Sequence, residues 1–188
     1  MVLDPFPIAG IGNMKMEGVR VESYSPLWPQ MFREESNRIK SILKVELKGI
    51  HHIGSTAIPG MSAKPVIDML PVVKDIIRVD DYNESFIRHG YEPRGEYGLA
   101  GRRYFVKGKP ESTHHVHVHQ EGDPAIIRHI AFRDYMIAHP SAAKAYSLLK
   151  EKLAQQHADD RNAYIDGKAS FVQEHERLAL GWWQSQQR

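Results

Sequence analysis

Histidine is the first chemistry this chain offers. Its 188 residues hold 11 His and no Cys, and six of the histidines fall in two clusters, His51-His52 and His114-His115-Val116-His117-Val118-His119. The lack of cysteine excludes disulfides, thiolate zinc sites, iron–sulfur clusters and a cysteine nucleophile. Any metal must be held by His, Asp or Glu. Side chains alternate faces along a strand, so His115, His117 and His119 share one face while Val116 and Val118 pack inward. Neutral imidazoles two residues apart can share a divalent cation or flank a phosphate. The plain alternative is the solvated polar face of a half-buried strand.

A second constellation is Gly54-Ser55-Thr56, followed by Lys64 and Asp68. A Gly-Ser turn after a strand presents backbone N–H groups that can hold phosphate oxygens. Asp68 interrupts the apolar run Pro65 to Val73, and a carboxylate inside such a strand needs a partner. If the two strands are neighbours, the turn and the carboxylate meet at one sheet edge. A carboxylate there suits Mg²⁺ or Mn²⁺, which bridge and neutralise phosphates, and histidine ligands admit Zn²⁺. The bland reading is a tight turn at Gly54 and an Asp68 bonded to buried backbone.

The third group is basic and aromatic: Arg102-Arg103-Tyr104-Phe105 and Phe132-Arg133-Asp134-Tyr135. Guanidinium forks match phosphate. Arg102 and Arg103 point to opposite faces, so one of them at most joins the site, and Arg133 has Asp134 and Asp68 as competing partners. One of His51 and His52 faces the same side as the site.

These residues need elements to position them. Ser25-Pro26 reads as N-cap and first residue of a helix carrying Trp28, Phe32, Ile39 and Leu43 at helical spacing. Gly49 to Ile53 is a short strand entering the Gly-Ser turn, and Pro65 to Val73 is the best central strand. A helix over about Asp80 to His89 ends at Gly90, followed by a turn-rich connection. Arg102–Lys107 and His114–Gln120 form an antiparallel pair through Gly108-Lys109-Pro110. Three helices follow: Ala125 to His139 capped by Asp123 with Pro124 first, Pro140 to Gln156, and roughly Tyr164 to Gln184. The length suits one domain over residues 21–188, preceded by an extension over 1–20 in which Met14 or Met16 is a candidate native start. A hydrophobic fraction of 41% supports a core, and a net charge of +2 carries no strong sign of nucleic-acid binding. No apolar run is long enough to cross a membrane, so a cytoplasmic location is the expectation.

At this point the motifs resemble a family. His52-Ile-Gly-Ser-Thr-Ala-Ile-Pro-Gly60 with Ala63-Lys-Pro-Val-Ile-Asp68 is similar to the signature of the GrpB (UPF0157) family. His114-His-Val-His-Val, Arg128-His-Ile-Ala-Phe-Arg-Asp-Tyr135, Ala145-Tyr-Ser-Leu-Leu-Lys150 and Tyr164-Ile-Asp-Gly-Lys168 look like its later blocks, and the likeness runs from about Val21 to Trp183. It implies an α+β fold of the nucleotidyltransferase-like, polymerase β palm-like kind: a mixed sheet packed with helices and a helical C-terminal part. In that superfamily Gly54 and Ser55 match the phosphate turn and Asp68 the first carboxylate. The chain departs at Leu70, where a second acid is expected, and on the later strand, where His115 and His117 stand in place of a third.

Three functional expectations follow. The first is a metal-dependent nucleotidyltransferase-like protein that binds a nucleotide or phosphorylated small molecule. In it Gly54, Ser55, Thr56, Arg103 and Arg133 hold phosphate, Asp68, His115 and His117 hold the divalent metal, and Asp68, His117 and Lys64 are the catalytic candidates. The second is a histidine-triad-like hydrolase or transferase using His115, His117 and His119, although Gln120-Glu121 departs from that motif. The third is a catalytically inactive binding module.

Overall fold

The computed structural model describes residues 18–187. The predicted extension up to residue 17, with Met14 and Met16, lies outside the described residues. At the end of that extension, Val19 N–H donates to the Ala158 carbonyl and Glu22 bridges to Ala63.

Helix α1 spans Trp28–Leu43. It starts later than Ser25-Pro26 predicts, because a second proline, Pro29, occupies the first turn where a missing N–H costs nothing. Ser25 instead shapes the turn before it, its hydroxyl accepting from Leu27 N–H at 3.3 Å. Strands β1 (Leu47–Ile53) and β2 (Ile67–Val73) flank the Gly-Ser turn. The helix expected over Asp80 to His89 is a 3-10 turn over Ile77–Tyr82 running into a short α2, Asn83–Arg88, before Gly90 in a left-handed conformation at φ 84°. Strand β3 (Tyr91–Pro93) is too short to show a periodicity and falls where the sequence predicts only a turn-rich connection. Strands β4 (Arg102–Lys107) and β5 (His114–Gln120) have the predicted bounds. Helices α3 (Pro124–Ala138), α4 (Pro140–Gln156) and α5 (Arg161–Gln186) follow. Asp123 caps α3 as expected, accepting from Ala125 N–H at 2.8 Å.

The strands form one mixed sheet in the order β1-β2-β5-β4-β3, with β2 and β5 parallel and the other pairs antiparallel. Strand alternation sorts the side chains onto two faces. Ile67, Met69, Val73, Phe105, Val116 and Val118 point to one face and pack with Trp28, Ile39, Ile42 and Leu43 of α1. Each such aliphatic side chain contributes roughly 1.5–3 kcal/mol by leaving water. The opposite face carries Ile53, Leu70 and Val72 packed with Ile126 of α3. A third apolar cluster, with Met136, Tyr146 and Val172, joins α3, α4 and α5 to Ile58 and Met61 of the turn region. The helical C-terminal part is thereby fastened to the segment that follows Gly54. Among the described residues no helix is long and apolar enough to cross a membrane.

Candidate functional site

Register brings the first two constellations together. Ile53, the last residue of β1, pairs with Asp68, and Asp68 pairs on its other side with His115. The chain leaves β1 through Gly54 at φ 69°, ψ −174°, a region open essentially to glycine. A Cβ added there would stand 2.5 Å from Asp68 Oδ2. Glycine is needed both for its backbone and because the Asp68 carboxylate fills the space a side chain would take.

His115 Nδ1 and His117 Nε2 approach the same Asp68 oxygen, Oδ1, at 3.4 and 3.5 Å. One donor atom from each of the three residues lies within 4.8 Å of the others. Tetrahedral coordination with bonds of about 2.1 Å separates donors by about 3.4 Å, so the set fits a divalent cation. Two imidazoles and one carboxylate suit Mn²⁺ or Zn²⁺ better than Mg²⁺, which prefers oxygen. Burial works against charge on Asp68, but hydrogen bonds and proximity to His115 and His117 outweigh it and hold the carboxyl well below its usual range. Burial lowers His117 against the opposing pull of Asp68, which favours the neutral imidazole that a ligand needs. Tyr104 sits across from this pair, its ring centroid 5.0 Å from that of His117. Arg102, anchored on the Tyr97 carbonyl at 2.8 Å, reaches His117 Nδ1 at 3.4 Å.

The three histidines do not act as one unit. His119 shares their face but is turned to Asp123, at 2.7 Å, near the start of α3. His51 faces the site side of the sheet, while His52 faces α1 and stacks on Phe32 at 4.7 Å.

A cavity of about 190 Å³ opens beside this set, between the Gly-Ser turn and α4–α5. Asp68 and His115 line one side, with Ser55, Thr56 and Lys64, and Lys150, Arg161 and Lys168 line the other. Burial pushes the Lys168 ammonium down to about 8, with Asp68 opposing that shift and Arg161 adding to it. Thr56 is wholly buried, and its hydroxyl donates to the Val66 carbonyl and contacts His52 Nε2 at 3.0 Å. It braces the turn.

Two predicted phosphate ligands stand elsewhere. Arg103 lies on the opposite face of the sheet and forks onto Asp80 at 2.7 and 2.8 Å. Its alternation with Arg102 decides this: Arg102 pairs with His119 on the histidine face, so Arg103 cannot share it. Arg133 donates to the His52 carbonyl at 2.9 Å and to Asp134 at 2.7 Å, steadying the end of β1 rather than reaching Asp68.

Sequence reasoning missed Lys150, Arg161 and Lys168. A signal existed for two of them. Tyr146 and Lys150 stand four apart on α4, as do Tyr164 and Lys168 on α5, and each ammonium lies over its own tyrosine ring at 4.5 and 5.0 Å. What a helical periodicity could not show was that both pairs face the Gly-Ser turn.

The model of the family described as GrpB protein matches residues 18–177. The chain is 49% identical over 164 residues to the UPF0157 protein YqkA of Bacillus subtilis, covering 87% of this chain and 48% of that one. It therefore spans about half the length of that relative. The crystal structure of the conserved protein GrpB from Enterococcus faecalis superposes with a TM-score of 0.85 at 43% identity, over 87% of this chain and 99% of that one. The structure of Cid1 in complex with its short product ApU superposes with a TM-score of 0.50 at 13% identity, over 71% of this chain and 42% of that one. That likeness speaks to the fold alone. The chain belongs to the GrpB family.

Proposed function

We propose that this chain binds a nucleotide or similar phosphorylated ligand together with a divalent metal, at a nucleotidyltransferase-like site. One observation carries the reading: besides Lys150, the cavity that holds Asp68 and His115 is faced by three further basic residues, Lys64, Arg161 and Lys168, against one carboxylate. Such an excess of positive charge in a recessed site favours a polyanion. Asp68, His115 and His117 would hold the metal, which neutralises phosphate charge when bound. Ser55 and the backbone of its 3-10 turn present polar groups to the ligand. Arg161 and Lys168 orient the phosphates from the helical side.

Leu70 favours binding without turnover as the second reading. It stands where a second acid would, and is fully buried in the apolar cluster with Ile53 and Val72. That leaves one three-residue ligand set among the described residues. The histidine-triad alternative finds no support, because His119 is held by Asp123 and His117 is wedged between Asp68 and Arg102.

Isothermal titration of the full chain with MnCl₂, and with each ribonucleoside triphosphate in its presence, tests the proposal. Binding that is lost in Asp68→Asn and weakened in Lys168→Met is the expected result. Wild-type protein that binds neither metal nor triphosphate would sink it. Pyrophosphate release separates the transferase from the inert module.

A further inference from the structure

Lys150 has no part in the phosphate reading above, yet it is the most enclosed of the cavity's cations. Only 2% of its surface is exposed. Its ammonium lies over the Tyr146 ring and donates to the Ser62 carbonyl. No ion pair to Lys150 occurs among the described residues, and the adjacent carboxylate, Glu151, is turned instead to the Ser62 hydroxyl. Its remaining contact is Ser55 Oγ, at 2.8 Å. A lysine in such a seat has no paired carboxylate to offset its burial, so the neutral amine gains over the charged form. Burial, with repulsion from Lys168, pushes it down to about 7, against the opposing pull of Glu151. A neutral amine can donate to Ser62 and still offer its lone pair to the Ser55 hydroxyl.

Ser55 is placed to use that base. It opens the 3-10 turn after Gly54, which is closed by hydrogen bonds from Ala57 N–H and Ile58 N–H at 3.2 Å. It lines the same cavity as Lys64, Arg161 and Lys168. A serine hydroxyl within hydrogen-bond reach of a lysine that can be neutral is one of the arrangements by which a weak nucleophile is activated.

We propose that Ser55 and Lys150 form a nucleophile–base dyad through which this site takes up a phosphoryl or nucleotidyl group from a phosphoanhydride. The inference rests on the phosphate-ligand reading of the cavity. The Ser55 Oγ lone pair forms a bond to phosphorus. The bond from that phosphorus to the bridging oxygen breaks, and its electron pair leaves with the phosphate or pyrophosphate. The Ser55 proton ends on Lys150 Nζ. The product is a phosphoester on Ser55, and Arg161 and Lys168 face the charge that develops.

The test incubates the full chain with MgCl₂ or MnCl₂ and each ribonucleoside triphosphate, quenches with acid, and reads intact mass and peptide maps. An added nucleotidyl or phosphoryl mass on Ser55 is expected, absent in Ser55→Ala. Lys150→Arg keeps a cation and its donors but gives up the removable proton, so adduct formation should fall about 100-fold while triphosphate binding by titration persists. Triphosphate that binds without marking Ser55, or marks it as fast in Lys150→Arg, overturns the dyad and leaves the proposed function standing. Failure of any triphosphate to bind removes that function. A fluorophosphonate probe then decides the dyad alone: labelling of Ser55 that Lys150→Arg abolishes supports it, and no labelling overturns it.

Discussion

Replacing Gly54 with alanine tests the site at its tightest point. Two costs add. The first is the backbone: φ 69° with ψ −174° costs an L-residue about 1–3 kcal/mol. The second is steric. The new methyl would lie 2.5 Å from Asp68 Oδ2, a distance real Cβ atoms essentially never show, and 3.1 Å from Asp68 Cβ, which is also tight. Asp68 must therefore shift, and its contacts to His115 and His117 loosen with it. A total of about 3 kcal/mol is expected, which for a chain of this size lowers Tm by roughly 6–12 °C. Mn²⁺ affinity should fall at least about 10-fold, since a ligand has been re-aimed. Gly60→Ala is the internal control. Gly60 also has a left-handed φ, 77°, but its added Cβ meets nothing within 4 Å. It should cost about 1 kcal/mol and leave Mn²⁺ affinity unchanged. Urea denaturation and Mn²⁺ titration of both variants provide the measurement. If Gly54→Ala costs no more than Gly60→Ala, Asp68 does not occupy the space against Gly54 and the construction of the site is wrong.

Asp68→Asn should abolish Mn²⁺ binding in titration calorimetry; its depressed carboxyl also means that wild-type stability present above about pH 4 is lost as pH falls below it, a slope this variant should flatten in urea midpoints. Lys150 acts in the same direction at higher pH: its folded pKa, about 7, lies below the unfolded value, so the unfolded chain binds the extra proton between those limits and stability rises with pH from about 7 towards 10. Lys150→Met should shrink that rise, and an unchanged urea midpoint profile from pH 7 to 9.5 would contradict the seat described for the ammonium. Arg103→Ala should leave metal and triphosphate affinity unchanged while costing about 1 kcal/mol for the half-exposed Asp80 fork; weakened ligand binding would show that Arg103 reaches the site after all.

Much of this site was legible because strand alternation is a local rule. His115 and His117 share a face by their spacing, Asp68 stands out within an apolar run, and Gly54-Ser55 marks the turn. The same rule says that Arg102 and Arg103 diverge, but not which one faces the histidines; that waits on the pairing of Arg102 with His119 across β4 and β5. Arg133 likewise had two partners on paper, and only the packing of α3 beside β1 sends it to the His52 carbonyl. Strand β3 was illegible because three residues carry no period.

By itself the sequence determined the order of the longer elements, the alternation of side chains along the strands, the exclusion of thiolate chemistry, and the family. These follow from composition, from periodicities of two and 3.6, and from contiguous motifs. The tertiary structure decided what those faces meet. It set β2 beside β5 in parallel, bringing Asp68 to His115 and His117, and it swung α4 and α5 so that Lys150 and Lys168 confront the Gly-Ser turn. Lys150 and Ser55 are 95 positions apart in the chain yet 2.8 Å apart in space. A contact of that separation is set by how apolar faces stack, and no spacing along the chain encodes it.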